Sequence, residues 1–108
     1  MPKAELIPGT LVMLILNVLD SGEMHGYAIA QRIRQLSSDV LQVEEGSLYP
    51  ALQKMLLKGW VRASWGISDT KRKVRHYRLT AAGRRQLVAE VNEYGLVNQA
   101  IQAVLGQA

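Results

Sequence analysis

The residues with the plainest chemical bias in this chain are cations. Between positions 54 and 85 stand Lys54, Lys58, Arg62, Lys71, Arg72, Lys73, Arg75, Arg78, Arg84 and Arg85, against the single acid Asp69, for a net of +9. Residues 1–53 carry three basic and six acidic groups, and residues 86–108 carry only Glu90 and Glu93, so the overall +4 conceals an uneven distribution. A folded segment this basic suits a polyanion partner, although a solvated face has the same charge. Groups fit for catalysis are few: His25, His76, Ser47, Asp39 and Asp69. No two of them are spaced to share one face of one element, and neither a nucleophile elbow nor a phosphate loop occurs. Two isolated histidines make no metal-ligand cluster. The absence of cysteine removes disulfides, cysteine zinc sites, iron–sulfur clusters and thiol catalysis. No catalytic residue, metal or cofactor is therefore expected.

The elements that position the cations can be read from periodicity and breakers. Helix 1 is expected over Thr10–Asp20, after Pro8-Gly9 and before Ser21-Gly22. It is apolar almost all round, so it must be buried on most sides, part of it in a subunit interface. Helix 2 is expected over Gly26–Leu36, with Ile29, Ile33 and Leu36 on one face, and a short break at Ser37-Ser38-Asp39. Helix 3 spans about Gly46–Lys58, with Leu48, Leu52, Met55 and Leu56 inward and Ser47, Pro50, Gln53, Lys54 and Lys58 on the opposite face. Proline lacks an N–H, which places Pro50 in the first turn and Ser47 near the cap. The helix would then offer a phosphate its positive end.

Two strands follow. Val61, Ala63 and Trp65 alternate inward in the first, and Tyr77 and Leu79 alternate with His76 and Arg78 in the second. The loop between them, from Gly66 to Lys73, carries Lys71 and Arg72 with Lys73 at its end. The last helix opens at Thr80. Its Leu87, Val91, Tyr94, Asn98, Ile101 and Leu105 are spaced 4-3-4-3-4, the seam of a heptad repeat that seeks a second copy. Asn98 interrupts that seam and Gly95 stands mid-helix. The order helix, break, helix, basic hairpin suits duplex DNA, because a helix of about 10–12 Å fits a major groove about 12 Å wide.

Particular residues carry a more specific resemblance. His25-Gly26-Tyr27-Ala28-Ile29 opens helix 2 and Gly46-Ser47-Leu48-Tyr49-Pro50-Ala51-Leu52 opens helix 3. Gly59-Trp60-Val61 enters the hairpin and Arg75-His76-Tyr77-Arg78-Leu79-Thr80-Ala81-Ala82-Gly83 leaves it. From Leu11 to Leu87 the chain resembles the PadR family of bacterial transcriptional regulators. The resemblance implies an α+β, mostly α fold. Residues 1–79 would form a winged helix-turn-helix with a two-stranded wing, and residues 80–108 a dimerisation helix, in one compact unit. It implies a homodimeric regulator, usually a repressor, on palindromic double-stranded operator DNA. Carried over, Ser47, Tyr49 and Lys54 match DNA-contacting positions of the reading helix, Tyr27 and Gln31 meet phosphate, and Lys71, Arg72 and Lys73 match the wing tip. Gln53 on the polar face and Arg75 on the second strand complete the candidate set. The family's inducers tend to be aromatic or cationic hydrophobic compounds, so a small effector of that kind is an expected partner. The competing reading is a winged-helix protein-interaction module without operator binding.

The compartment follows from what is missing. The longest apolar run, Leu11–Leu16 extending to Leu19, falls short of the roughly 20 residues of a membrane span. Its flanks do not suit a secretory signal. A soluble protein of the cytoplasm is expected.

Overall fold

The structure is a computed structural model and describes residues 3–7 and 9–106. Pro8, expected beside Gly9 ahead of the first helix, and residues 107–108 of the expected C-terminal segment lie outside the described residues. The elements are α1 (Thr10–Asp20), β1 (Met24–His25), α2 (Gly26–Leu36), α3 (Glu45–Leu57), β2 (Val61–Ile67), β3 (Lys73–Leu79) and α4 (Ala81–Leu105). The three strands form one antiparallel sheet in the order β1-β3-β2.

One core joins every layer. Ile15, Leu16, Val18 and Leu19 of α1 meet Ile29 and Ile33 of α2, and Leu48, Leu52 and Met55 of α3. Val61, Tyr77 and Leu87 close it from β2, β3 and α4. Residues one turn apart on each helix supply these contacts, the pattern that burial of one face demands.

Local chemistry sets the boundaries. The His25 side chain caps α2, its Nδ1 accepting from the Ala28 N–H at 3.3 Å. Gly59, at φ 76°, ends α3. Its N–H donates to the Leu56 carbonyl and that of Trp60 to Met55 (3.1 and 3.0 Å), the paired bonds of a Schellman terminus. Thr80 caps α4 by accepting from the Gly83 N–H at 2.9 Å, and its hydroxyl donates to the Gly59 carbonyl at 2.7 Å. α4 thereby starts against the end of α3. A Cβ at Gly83 would collide with the Trp60 carbonyl, so only glycine lets α4 approach this closely.

Three expectations need correction. The sheet has a third strand, β1, whose Met24 and His25 pair with Tyr77 and His76. Two residues held by backbone bonds to an edge leave no periodicity to read. The break between α2 and α3 runs through Glu44 rather than ending at Asp39, because Leu41 and Val43 within it pack on the core. α3 starts at Glu45 with Glu44 as its cap, so Ser47 is its third residue and Pro50 its sixth, in the second turn. Pro50 removes one ladder bond, to the Gly46 carbonyl. Both residues are exposed and nothing crowds Gly46, so water can take that carbonyl.

Candidate nucleic-acid interface

α3 presents Ser47, Tyr49, Pro50, Gln53, Lys54 and Lys58 outward while Leu48, Leu52 and Met55 hold it to the core. Opposite stands the wing, β2 and β3. Between them lies a concavity of about 630 Å³. It gathers six of the ten expected DNA-contacting residues: Tyr27 from α2, Tyr49 and Gln53 from α3, and Arg72, Lys73 and Arg75 from the wing. Gln31 lines a separate small cleft between α2 and α3 with Tyr27 and Tyr49. Ser47, Lys54 and Lys71 are exposed but outside the lining of the concavity.

The wing is built to hold cations outward. Its turn is closed by the Lys71 N–H donating to the Ser68 carbonyl at 2.8 Å and the Ser68 N–H donating to the Arg72 carbonyl at 2.8 Å. Lys71 sits in the left-handed region at φ 61°. Lys73 belongs to β3 rather than to the loop, and β2 runs on to Ile67, so the connecting segment is shorter than Gly66-to-Lys73. Trp65, expected inward, is 62% exposed because the hairpin outruns the helices beneath it. Lys73 Nζ lies 5.0 Å and the Arg75 guanidinium 5.8 Å from the centroid of its ring, and Arg75 is equally far from Tyr77. Aromatic faces thus steady two cations above the concavity, each contact contributing about 0.5–1 kcal/mol at an exposed site.

Little among the described residues neutralises this charge. Of the ten cations between residues 54 and 85, only Arg84 makes a salt bridge among the described residues, to Asp20 at 3.2 Å. The acidic pair Glu44-Glu45 instead stands at the start of α3. Two carboxylates there offset part of the positive end of the helix dipole.

Tyr49 ties α3 to the start of α2. Its ring lies on Gly26, where a Cβ would come within 2.9 Å of it, yet the residue stays 44% exposed. Burial chiefly, then the Glu45 carboxylate and Tyr77, raise its phenol above the usual value of 10.0. It therefore keeps its proton as a donor throughout the neutral range. His25 caps α2, and His76 faces Glu23 (3.4 Å) with its ring under Gly66. Among the described residues no cluster of three candidate metal ligands occurs.

The expected dimer seam divides. Leu87 is buried in the chain's own core, because the first turns of α4 lie on α1 and the sheet. Val91, Tyr94, Asn98, Ile101 and Leu105 are exposed, as is every described residue beyond Glu90. A groove of about 620 Å³ runs between the start of α1 and α4, lined by Met13, Tyr94, Val97 and Ile101 with Glu90 and Glu93 at its edge. No helix of the described residues is long and apolar enough to cross a membrane.

Residues 15–89 match the family described as the transcriptional regulator PadR-like family. The negative transcriptional regulator PadR of Bacillus subtilis (strain 168) is 29% identical over 73 residues, which are 68% of this chain and 40% of that protein. A transcriptional regulator from Clostridium thermocellum superposes with a TM-score of 0.81 at 26% identity, covering 88% of this chain and 92% of that one. A PadR family transcription regulator from Clostridium difficile R20291 gives 0.76 at 25% identity, over 90% and 99% of the two chains.

Proposed function

Since the chain belongs to the PadR-like family of transcriptional regulators, a DNA-binding family rather than an enzymatic one, we propose that it is a homodimeric repressor of the cytoplasm that binds palindromic operator DNA. α3 reads the major groove and the wing lies on the flanking backbone. Residues 1–79 do the binding and residues 80–108 the pairing. The observation that carries this reading is the concavity between α3 and the wing, with Arg72, Lys73 and Arg75 on its wall and no acid paired to them. Ser47, Tyr49, Gln53 and Lys54 supply polar contacts from α3, and Tyr27 and Gln31 supply donors to phosphate. The similarity to a negative regulator favours repression.

Pairing follows from α4. Beyond the core it projects an apolar stripe of Val91, Tyr94, Val97, Ile101, Val104 and Leu105, each between 43% and 73% exposed. Such a stripe on a helix of 25 residues, roughly 37 Å long, needs a partner helix. The two copies then place two α3 helices for half-sites about 10–10.5 base pairs apart. An aromatic or cationic effector would lodge in the groove between α1 and α4, where the Tyr94 ring and aliphatic side chains meet Glu90 and Glu93.

Selection of bound duplexes from a random pool tests the reading, followed by titration of the selected duplex against salt. A palindrome of the stated spacing, with affinity falling steeply as salt rises, is the expected result. Affinity that ignores salt overturns it.

A further inference from the structure

We propose that the inner face of the wing is a two-part duplex contact, in which Trp65 and Ile67 cover the apolar deoxyribose edge of a groove while Lys73 and Arg75 take the adjoining phosphates. The proposal rests on the DNA-binding reading above and assigns a role to Trp65 and Ile67, which that reading leaves unused.

The β2–β3 register pairs Trp65 with Arg75 and Ile67 with Lys73. Side chains two apart on a strand share a face, so Trp65 and Ile67 continue the inward row begun by Val61 and Ala63. Val61 is 2% exposed, whereas Trp65 and Ile67 are 62% and 68% exposed. The row has left the core and become an apolar column beside a cationic one. The alternate face of β2 carries Arg62, Ser64 and Gly66, so the exposed apolar residues of β2 are confined to the face that bears Lys73 and Arg75. Trp65, Lys73 and Arg75 also line the same concavity as Tyr49 and Gln53 of α3.

The occupant follows from charge. An apolar protein surface laid here would have to desolvate Lys73 and Arg75, which have no acidic partner among the described residues. A duplex presents sugar edges flanked by phosphates at every step, so it satisfies both columns at once. It is also the polyanion already placed against α3.

The two columns differ in one measurable way. Phosphate contacts release counterions and set the slope of log affinity against log salt, about 0.9 per contact on B-DNA. An apolar contact releases none, so it changes the affinity and leaves the slope alone. Trp65→Ala is expected to weaken binding roughly tenfold at every salt concentration, the scale of one lost aromatic contact to nucleic acid. Lys73→Ala is expected to flatten the slope by about 0.9. Ile67→Ala should act as Trp65→Ala does, more weakly. Trp65 emission should change when duplex is added, and this response should vanish in Trp65→Phe, because the remaining Trp60 packs against the core.

An emission unmoved by a duplex that demonstrably binds overturns the proposal, whatever the stability of the alanine variant. So does a Trp65→Ala variant that melts normally and binds normally. A shallower salt slope in Trp65→Ala also overturns it, since the indole would then act only by steadying the cations. If the unaltered protein binds no duplex at all, the DNA-binding reading fails with it; the other outcomes leave that reading standing.

Discussion

The wing and the distal half of α4 are both exposed and both lack partners within the chain, yet they lack them in opposite chemical senses. The wing carries unneutralised charge on a short hairpin braced by a turn and by aromatic faces. The distal half of α4 carries exposed apolar side chains on a helix anchored only through its first turns. A charged surface awaits a polyanion, and its affinity collapses in salt. An apolar stripe awaits another apolar surface, and its association depends on protein concentration and little on salt. On the proposed reading the chain has two half-interfaces that respond to different variables, and those variables can separate them.

The largest effect should come from breaking the apolar half. Val97→Asp with Ile101→Asp puts charge on the stripe without touching the buried core. Light scattering should report 12.0 kDa in place of about twice that mass. Affinity for a two-half-site duplex should fall by roughly 10²–10⁴, the advantage of linked binding. A dimer that survives this pair of changes would show that the partner lies elsewhere.

Next comes the joint between the halves. Gly83→Ala drives a Cβ into the Trp60 carbonyl, and backbone cannot swing aside as a side chain can. A loss of at least roughly 1–3 kcal/mol in thermal or denaturant unfolding is expected. An unchanged melting temperature would mean that α4 shifts freely on the sheet.

Neutralising the wing should matter less. Lys71, Arg72 and Lys73 changed together to alanine should weaken binding to every duplex, roughly 10- to 100-fold at low salt. Up to three phosphate contacts should leave the salt slope, about 0.9 for each. The dimer mass should stay the same. Loss of affinity with an unaltered slope would show that the tip does not meet phosphate.

The two halves also differ in how far the sequence announces them. α1 and α2 lie where their flanking breakers put them, because Ser21-Gly22 and Ser37 stop an apolar period cleanly. The cationic character of the wing needs only a count of charges. What escaped depends on where the core ends. Trp65 and Leu87 both keep the period of their element, so period alone assigned Trp65 to the core and Leu87 to an interface. The reverse holds because β2 outruns the helices while the first turns of α4 lie on them. Glu44 and Glu45 were legible as letters but not as a cap, since Pro50 pointed to a later start than a solvent-exposed Gly46 permits.

Tyr49 gives the smallest and most discriminating test, because it belongs to the binding face and leans on Gly26 at once. Tyr49→Phe keeps the ring and removes the hydroxyl. If that hydroxyl donates to a base edge, affinity should fall about 2- to 12-fold, the range for one hydrogen bond between neutral groups, while stability near neutral pH stays put. A second readout isolates its surroundings. Burial, with help from Glu45 and Tyr77, raises the phenol's pKa in the folded chain above its ordinary 10.0. The folded state then holds that proton more tightly than the unfolded state does. The resulting stability is fully present below pH 10 and is lost as pH rises through the raised value. Phenylalanine has no proton to lose, so Tyr49→Phe should fall less steeply in stability above pH 10 than the unaltered protein. Parallel alkaline profiles would show the Tyr49 ring to be more open to solvent than its place on Gly26 implies. Its contribution would then belong to the binding face alone.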